Sequence, residues 1–298
     1  MFYEEVALKR ELNFVPKIAR LTEHAMHVHD ALEVSILLEN EAKYRLADRD
    51  YYGKPGDVFV FRPFEPHYNL VRDKDKPVRW IMLLFSPAIA RHIPEGGMLL
   101  RPFYTAAGRF PPLIPADSPC ARAIQRAARE AVAEEEHQLS GWQAKQFQCF
   151  IDILVQLYRH YAAMELDSHK PDEGVLRVID YVLSHFGEEL TMDRLVDMSS
   201  LGRTIFFRRF KEITSLSPNA FISRLRLQAA VYMLDYSGKT VTDIAFECGF
   251  QSLSYFNKQF KPFKGMSPRE YRSRKREEAD PVAAEGDASL PSPRPPES

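Results

Sequence analysis

Short apolar runs of strand length alternate with turn signals between residue 20 and about residue 90. The runs include EVSILLE, AKYRLA, DVFVF and VRWIMLLF, and the segments KPGD and RPFEPH mark turns between them. Runs of this length bounded by Pro, Gly and Asp are typical of β-strands. The pattern predicts an antiparallel all-β domain, to which we assign residues 1–112.

A stretch rich in Pro and Gly, residues 87–119, separates this domain from sequence with helical periodicity. Between residues 120 and 165 the apolar side chains recur at helical spacing, as in Phe147, Phe150, Ile151, Leu154, Leu157 and Tyr161. This spacing predicts a long helix with an apolar stripe. The stripe could pack on the β domain or on a second copy of the chain, so residues 113–170 are a helical linker and residues 142–161 a candidate dimer contact.

The region from residue 171 to residue 275 contains an internal repeat. Phe206, Phe210, Lys211, Ser217, Pro218 and Phe221 recur 50 positions later as Phe256, Phe260, Lys261, Ser267, Pro268 and Tyr271. Each copy opens at a good N-cap, Thr191 or Thr240, and has a tight turn, SSLG or CGFQ, before a second helix. Two short helices joined by such a turn are a helix-turn-helix, so the sequence predicts two of them.

The interior of each copy is predicted from the same repeat. Leu195-Val196 and Ile244-Ala245 correspond to one another as buried pairs, and Phe206, Phe210, Phe256 and Phe260 are assigned to the core. A break at SHKPDEG, residues 168–174, precedes the repeat. The tail, residues 276–298, is rich in Pro, Ser and Glu and is predicted to be disordered.

Composition narrows the class of protein. The 298 residues are 45% apolar, 12% aromatic and 27% charged, which excludes a disordered or collagen-like chain. No apolar run approaches the roughly 20 residues that span a bilayer, and the first residues lack the features of a secretory signal, so we expect a cytoplasmic protein with no membrane partner. The three cysteines are too few and too far apart for a disulfide framework or a zinc finger.

Charge is distributed unevenly along the chain. Residues 200–276 contain 15 Lys plus Arg against 5 Asp plus Glu, a net charge of +10, whereas the remainder carries 25 against 36, a net charge of −11. A plain helical bundle needs no such charge, and a module that binds protein is a further alternative. A basic block that contains two helix-turn-helix units favours DNA as the partner.

The second copy, residues 240–272, resembles the second helix-turn-helix of AraC/XylS-type transcription regulators. The matching elements are Ile244-Ala245, Gly249-Phe250, Ser254-Tyr255-Phe256, Phe260-Lys261, Gly265, Ser267-Pro268 and Tyr271-Arg272. Residues 190–227 resemble the first unit less closely, since Ser200, Gly202 and Ser215 depart from the usual residues. The resemblance implies a seven-helix domain whose central helix, Pro218 to about Tyr236, directs two recognition helices to major-groove segments about 10 bp apart.

The resemblance also implies which residues face DNA. In the first unit they are Arg203, Thr204, Phe207 and Arg208; in the second they are Ser252, Leu253, Ser254, Asn257 and Lys258. Arg can pair bidentately with guanine, and Ser and Asn can bind base edges or phosphates. Lys211, Lys261 and Lys264 are assigned to phosphate contacts.

The segments HVHDALEVSILLE, residues 27–39, and KPGDVFVFRPFEPH, residues 54–67, are similar to the two motifs of cupin barrels. His27, His29, Glu33 and His67 match the positions that bind metal in cupin enzymes, and such ligands suit Fe, Mn, Ni or Zn. In AraC-type regulators the barrel usually serves as a sensor, whose His and Glu side chains can instead contact an organic ligand or one another. Of Phe59, Phe61, Tyr68 and Trp80, some must line the barrel interior.

Together these observations predict an α+β chain with a cupin-like β-barrel followed by helices and an all-α double helix-turn-helix domain. The expected function is sequence-specific DNA binding that responds to a small-molecule effector, for which the resemblance suggests a sugar or related metabolite. We expect no catalysis and no cofactor, with double-stranded DNA, RNA polymerase for activation and a second copy in a homodimer as partners. The alternative is a metal-dependent cupin enzyme fused to a DNA-binding domain.

Overall fold

The structure is a computed structural model that describes residues 2–6, 8, 10–20, 26–46, 48–71, 73, 75–105, 110–165 and 172–279. Within these ranges the strands are β1 (Phe2–Tyr3), β2 (Leu12–Ala19), β3 (His27–Val28), β4 (Leu32–Glu39), β5 (Ala42–Leu46), β6 (Arg49–Gly53), β7 (Val58–Phe61), β8 (His67–Val71), β9 (Val78–Phe85) and β10 (Leu113–Ile114).

The strands form two five-stranded sheets. One has the order β1-β3-β8-β5-β6 and the other the order β10-β7-β4-β9-β2. The pairings are antiparallel, apart from the parallel pairing of β1 with β3. The strands begin earlier in the chain than the apolar runs predicted. Strand β2 lies at the edge of its sheet and contains Pro16, which edge strands tolerate and central strands do not.

Strand β4 is buried on both of its faces. Leu32, Val34 and Ile36 pack against the helical side of the domain, whereas Leu37 points between the two sheets. Residues that alternate along a strand point to opposite faces, so a nearly continuous apolar run here reflects two separate cores. The sheet that contains β4 is therefore a wall shared by the barrel interior and the helices.

The space between the sheets is filled by aromatic side chains. The ring of Tyr44 stacks on that of Phe59 with 3.9 Å between centroids, and Phe61 and Trp80 belong to the same buried cluster. The prediction that some of the four aromatics line the interior is confirmed for Phe59, Phe61 and Trp80, whereas Tyr68 is only half-buried.

The helices of the described residues follow the barrel. They are α1 (Gly96–Leu99), α2 (Pro119–His137), α3 (Trp142–Glu165), α4 (Glu173–His185), α5 (Met192–Ser199), α6 (Arg203–Thr214), α7 (Pro218–Tyr236), α8 (Val241–Glu247), α9 (Leu253–Lys264) and α10 (Pro268–Ala279), with 3₁₀ helices at Pro87–His92 and Arg101–Phe103. None of the helices in these ranges combines the length and apolarity that a bilayer span requires.

Helices α2 and α3 pack together and complete the core of the barrel domain. Phe150, Leu154, Leu157 and Tyr161 of the predicted stripe are buried in the core that α2 and the sheet share, and Phe150 meets Phe85 of β9 edge to face. Of the two alternatives for the stripe, packing on the β domain is confirmed for these residues. Phe147 and Ile151 on the neighbouring line of α3 are only partly buried.

The two helix-turn-helix units are α5 with α6 and α8 with α9. Thr191 and Thr240 cap α5 and α8 as predicted, and Ser217 caps α7 with Pro218 at its first position. Gly202 precedes α6 without a side-chain cap. The four core phenylalanines are each fully buried, and both members of the pair Ile244-Ala245 are buried, whereas only Leu195 of the other pair is.

Helix α10 corrects the predicted end of the folded region. It continues to Ala279, so the boundary drawn at residue 275 falls inside a helix and residues 276–279 do not belong to a disordered tail. Ser267 and Glu270 start the helix with reciprocal bonds between side chain and backbone N–H. Residues 280–298, and residues 168–171 of the predicted break, lie outside the described residues.

Candidate nucleic-acid interface and ligand site

The second helix of each unit presents polar side chains to solvent. Arg203, Thr204, Arg208 and Lys211 on α6 are exposed, as are Ser254, Asn257, Lys258 and Lys261 on α9 and its N-cap Ser252. Because the buried Phe side chains recur on one line of each helix, the opposite line is left for polar contacts. The predicted DNA-facing residues therefore lie on two equivalent surfaces.

Three of the residues predicted to contact DNA are less exposed than the others. Phe207 and Leu253 are half-buried and pack partly against the core of their own unit. Lys264, at the end of α9, turns towards the sensor domain, where its ammonium donates to Glu5 Oε1 at 2.7 Å and its side chain is only 14% exposed. Lys264 is thus engaged within the protein and does not share the open surface of Lys261.

The arginines of the first recognition helix have carboxylate partners. Arg203 pairs with Asp193 at 2.6 Å, and Arg208 and Arg209 both reach the carboxylate of Glu212 at 3.2 Å. Such exposed ion pairs are weak, worth about 0 to 1 kcal/mol each. A phosphate or a guanine edge could therefore replace these partners at small cost.

A second group of polar side chains lies at the mouth of the barrel. His27 is on β3, His67 faces it directly across the β3-β8 pair, His29 follows β3, and Glu33 is on β4. The ring nitrogens available from the three histidines lie within 4.8 Å of one another. Glu33 Oε2 is 3.1 Å from His29 Nε2 and 3.5 Å from His67 Nε2. The structure thus brings together all four residues that the cupin resemblance singled out.

The hydrogen bonds fix how these rings can bind. Nδ1 of His29 donates to the carbonyl of Ala31 at 2.9 Å, and Nδ1 of His67 donates to that of Glu65 at 2.8 Å. With a proton on each Nδ1, Nε2 is the atom that points into the cluster. A backbone carbonyl that holds the far side of the ring is the usual support of a metal-binding histidine.

The atoms around the histidines call for positive charge in the cluster. Both nitrogens of His29 face oxygen atoms that only accept, and buried Nε2 of His67 makes no hydrogen bond in the described residues. Burial by itself would raise the pKa of Glu33, but its hydrogen bond to His29 and its attraction to both His29 and His67 hold the pKa well below the ordinary value. Either the imidazoles are protonated or a cation binds them, and three imidazoles with a carboxylate fit a divalent transition metal.

The β3-β4 turn connects this cluster to the DNA-binding domain. Asp30, next to His29, accepts hydrogen bonds from Tyr3 Oη at 2.9 Å, Arg224 Nε at 2.6 Å and Gln228 Nε2 at 2.7 Å. Arg224 and Gln228 are on α7. Nothing in the sequence marks these contacts, because Asp30 and Arg224 are 194 positions apart.

A cleft of about 770 Å³ opens beside this contact. Glu11, Asn13 and Asp30 line it from the sensor side, and Tyr232 and Asp235 from α7. Its volume is in the range of small-molecule sites, roughly 300 to 1,000 Å³. The cleft is bounded by both domains, so its shape depends on how they are arranged.

Comparison with known proteins agrees with both halves of the chain. Residues 11–147 match the family model described as an AraC-like ligand binding domain, and residues 195–274 match a helix-turn-helix domain. A barrel that binds ligands, joined to two DNA-binding helix pairs, defines a ligand-responsive transcription regulator. The chain belongs to the AraC family of these regulators.

Individual relatives cover most of the chain at low identity. The HTH-type transcriptional activator RhaS of Pectobacterium atrosepticum is 27% identical over 255 residues, with 83% of this chain and 86% of that protein covered. RhaS of Escherichia coli O1:K1 is 30% identical over 148 residues, covering 50% of this chain and 52% of that protein.

Solved structures resemble parts or most of the chain. The DNA-binding domain of AdpA in complex with a target DNA is 27% identical, with 37% of this chain and 97% of that chain covered and a TM-score of 0.34. ToxT from Vibrio cholerae O395 is 12% identical, with 89% of this chain and 98% of that chain covered and a TM-score of 0.45.

Proposed function

We propose that α6 and α9 read two major-groove segments of one DNA duplex. The proposal rests on the repeated helix whose outer line is polar while its inner line is buried phenylalanine. The residues assigned to DNA are Arg203, Thr204, Phe207, Arg208, Lys211, Ser252, Leu253, Ser254, Asn257, Lys258 and Lys261. Phe207 and Leu253 have only one side available for apolar contact with bases, since each also packs inward.

Each class of side chain has a separate task. Arg208 is the candidate for bidentate bonding to guanine, and Asn257 for an adenine edge. Lys211, Lys258 and Lys261 supply phosphate contacts that set affinity and its dependence on salt. Lys264 is omitted, because its ammonium already forms an ion pair with Glu5.

We further propose that the effector binds at the barrel mouth and contacts His27, His29, Glu33 and His67. Aromatic side chains fill the space between the sheets, so this cluster supplies the polar contacts for the effector; His29, Glu33 and His67 are buried and His27 is half-buried. An effector alters DNA binding only if it binds one arrangement of the two domains better than another. The contact of Asp30 with α7 supplies a path, since Asp30 adjoins His29.

The remaining expectations belong to the same proposal. The protein acts in the cytoplasm as a homodimer without catalysing a reaction, and it contacts RNA polymerase to activate transcription. Of these properties, activation is the one that the name of its RhaS relatives suggests. The half-buried line of α3 that includes Phe147 and Ile151 is the candidate dimer surface.

A metal ion is the second candidate for the barrel mouth. Orphaned Nε2 of His67 and the two acceptors around His29 favour it. His27, His29, His67 and Glu33 would hold the ion, which could attract an oxygen atom of an effector or, in the enzyme alternative, polarise a substrate. The carbonyls of Ala31 and Glu65, which accept from Nδ1 of His29 and His67, would fix the orientation of these two rings toward the ion.

Two measurements test these proposals. Genomic fragments retained by the full-length protein should share a sequence spanning two groove segments, and retention should fall steeply as salt rises. Retention that is independent of sequence and salt would contradict DNA recognition. Metal analysis of the purified protein distinguishes the second candidate, since stoichiometric Fe, Mn, Ni or Zn should be lost when His27 and His29 are replaced together.

A further inference from the structure

The β1 segment, residues 2–5, lies between the histidine cluster and the DNA-binding domain. It runs parallel to β3, with Phe2 beside His27 and Tyr3 beside Val28. The N–H of Glu4 donates to the carbonyl of Val28 at 2.9 Å, which extends the pairing past the strand itself.

The side chains of this segment face two ways. Glu4 Oε2 is 3.3 Å from Nε2 of His27, on the side of the cluster. Tyr3 accepts from Arg224 and Glu5 accepts from Lys264, both on the side of the DNA-binding domain. Successive residues of an extended chain point to opposite faces, so the alternation follows from the backbone.

We propose that Glu4 is a further ligand of a divalent transition-metal ion held by His27, His29 and His67, and that β1 thereby links metal binding to the domain contact. The inference rests on the metal candidate stated above. Glu4 and Glu33 together carry two negative charges, which balance the ion, and the Glu4 carboxylate is half-exposed beside His27.

Metal binding changes the bond between Glu4 and His27. The ion would bind Nε2 of His27 with the ring proton on Nδ1, and a proton displaced from Nε2 would pass to water, so Nε2 would no longer donate to the carboxylate. The carboxylate then binds the ion itself, and β1 is fastened to the barrel mouth. Tyr3 and Glu5 on the other face are thereby held against Arg224 and Lys264, which favours the arrangement in which the two domains touch.

Titration of the metal-free, full-length protein with Co²⁺ alone tests the ligand. The Glu4→Gln variant keeps the size of the side chain but should bind Co²⁺ at least about tenfold more weakly, since even residues that only support a ligand cost 10- to 100-fold. Its visible spectrum should also change with the loss of an oxygen ligand. The matched control, Glu5→Gln, should lose far less Co²⁺ affinity than Glu4→Gln, because Glu5 contacts Lys264 on the other face and not the ion.

The distance between the domains tests the linkage. Spin labels at Tyr52→Cys and Arg269→Cys occupy exposed sites on the two domains. Co²⁺ is paramagnetic and would speed the relaxation of the spin labels, so diamagnetic Zn²⁺ is the ion used for the distance measurement. Zn²⁺ should narrow the distance distribution of the otherwise unchanged protein, and Glu4→Gln should abolish this narrowing. Glu5→Gln should reduce the narrowing while costing far less metal affinity than Glu4→Gln.

The outcomes separate the two claims. A wild type that binds neither ion overturns both the metal candidate and this inference. Equal affinities of the wild type and Glu4→Gln overturn the role of Glu4 and leave the histidine site standing. Weaker binding by Glu4→Gln, without any effect of Zn²⁺ on the distance, overturns the linkage.

Discussion

Arg224 of α7 donates from Nε to Oδ2 of Asp30 at 2.6 Å, and so joins the DNA-binding domain to the turn beside the histidine cluster. Both side chains are largely buried, and the guanidinium also lies over the ring of Phe263 at 4.5 Å. This pair directly connects the turn beside the proposed effector site to the helix common to the two DNA-binding units.

Replacing Asp30 by Asn should lower the free energy of unfolding by about 1 to 3 kcal/mol near neutral pH, because Arg224 loses its charged partner. Burial alone would raise the pKa of Asp30, but the attraction of Arg224 and its hydrogen bond outweigh burial and lower the pKa. The stabilisation is therefore complete above the pKa of the unfolded chain and is lost as pH falls through the folded value. Urea unfolding of both proteins between about pH 5 and pH 2 should show the difference shrinking; a difference that grew with acid would contradict the pairing.

Replacing Glu212 by Gln should tighten DNA binding a few-fold. Glu212 holds Arg208 and Arg209 and places a negative charge near the phosphates. Binding at about 50 and 200 mM salt measures the effect, which should shrink at high salt. Asp243→Asn, at an exposed position of α8, is a control with the same change of charge. An equal gain in affinity in that variant would show that net charge alone explains the effect.

Replacing Arg208 by Ala should cost about 1 to 3 kcal/mol on the preferred sequence and relax base choice at one position. Replacing Lys261 by Ala should instead weaken all sequences alike and reduce the salt slope by about one unit. Competition binding with a set of single-base variants separates the two patterns. If the Arg208 variant binds all sequences more weakly by the same factor, Arg208 contacts phosphate and not a base.

Two glycines with positive φ should differ in their tolerance of a methyl group. Gly265 has a φ of 73° and open space around it, so Gly265→Ala should cost only the backbone strain, about 1 to 2 kcal/mol. At Gly249, φ is 88° and an added Cβ would lie 2.8 Å from the carbonyl oxygen of Gly187. Thermal unfolding should therefore show a clearly larger loss for Gly249→Ala, and equal losses would contradict the close packing.

The cysteines should be inert in the folded protein. Burial raises the pKa of Cys120 and Cys149 to about 11 and that of Cys248 to about 12. At pH 8 the thiolate fraction is then about one in a thousand or less. A chromogenic thiol reagent should detect no fast reaction until denaturant is added, when all three should react.

Local signals predicted the DNA-binding half well. The caps Thr191, Thr240 and Ser217 act on backbone within a few residues, and buried Phe206 and Phe256 follow from a repeat visible in the sequence. Long-range polar contacts could not be predicted in this way. Lys264 was assigned to phosphate from its charge and helix, but its partner Glu5 lies at the other end of the chain.

The barrel half shows a related limit. The run of β4 predicted a strand, but which of its residues meet the barrel interior and which meet α2 and α3 depends on layers that local pattern does not encode. His27, His29, Glu33 and His67 could be grouped from motif spacing. Glu4 could not, because it belongs to no motif and reaches His27 only through the pairing of β1 with β3.

Helix α7 contacts α6, α8, α9 and α10, and it also touches the 3₁₀ helix of the sensor, Pro87–His92. Any displacement of α7 by the sensor domain is therefore transmitted to both helix-turn-helix units. The two recognition helices would move together as one rigid unit, which keeps the distance between the base pairs that they contact constant. Ligand binding would then change the affinity for DNA, while the spacing between the two base-pair segments that the protein recognises stays the same.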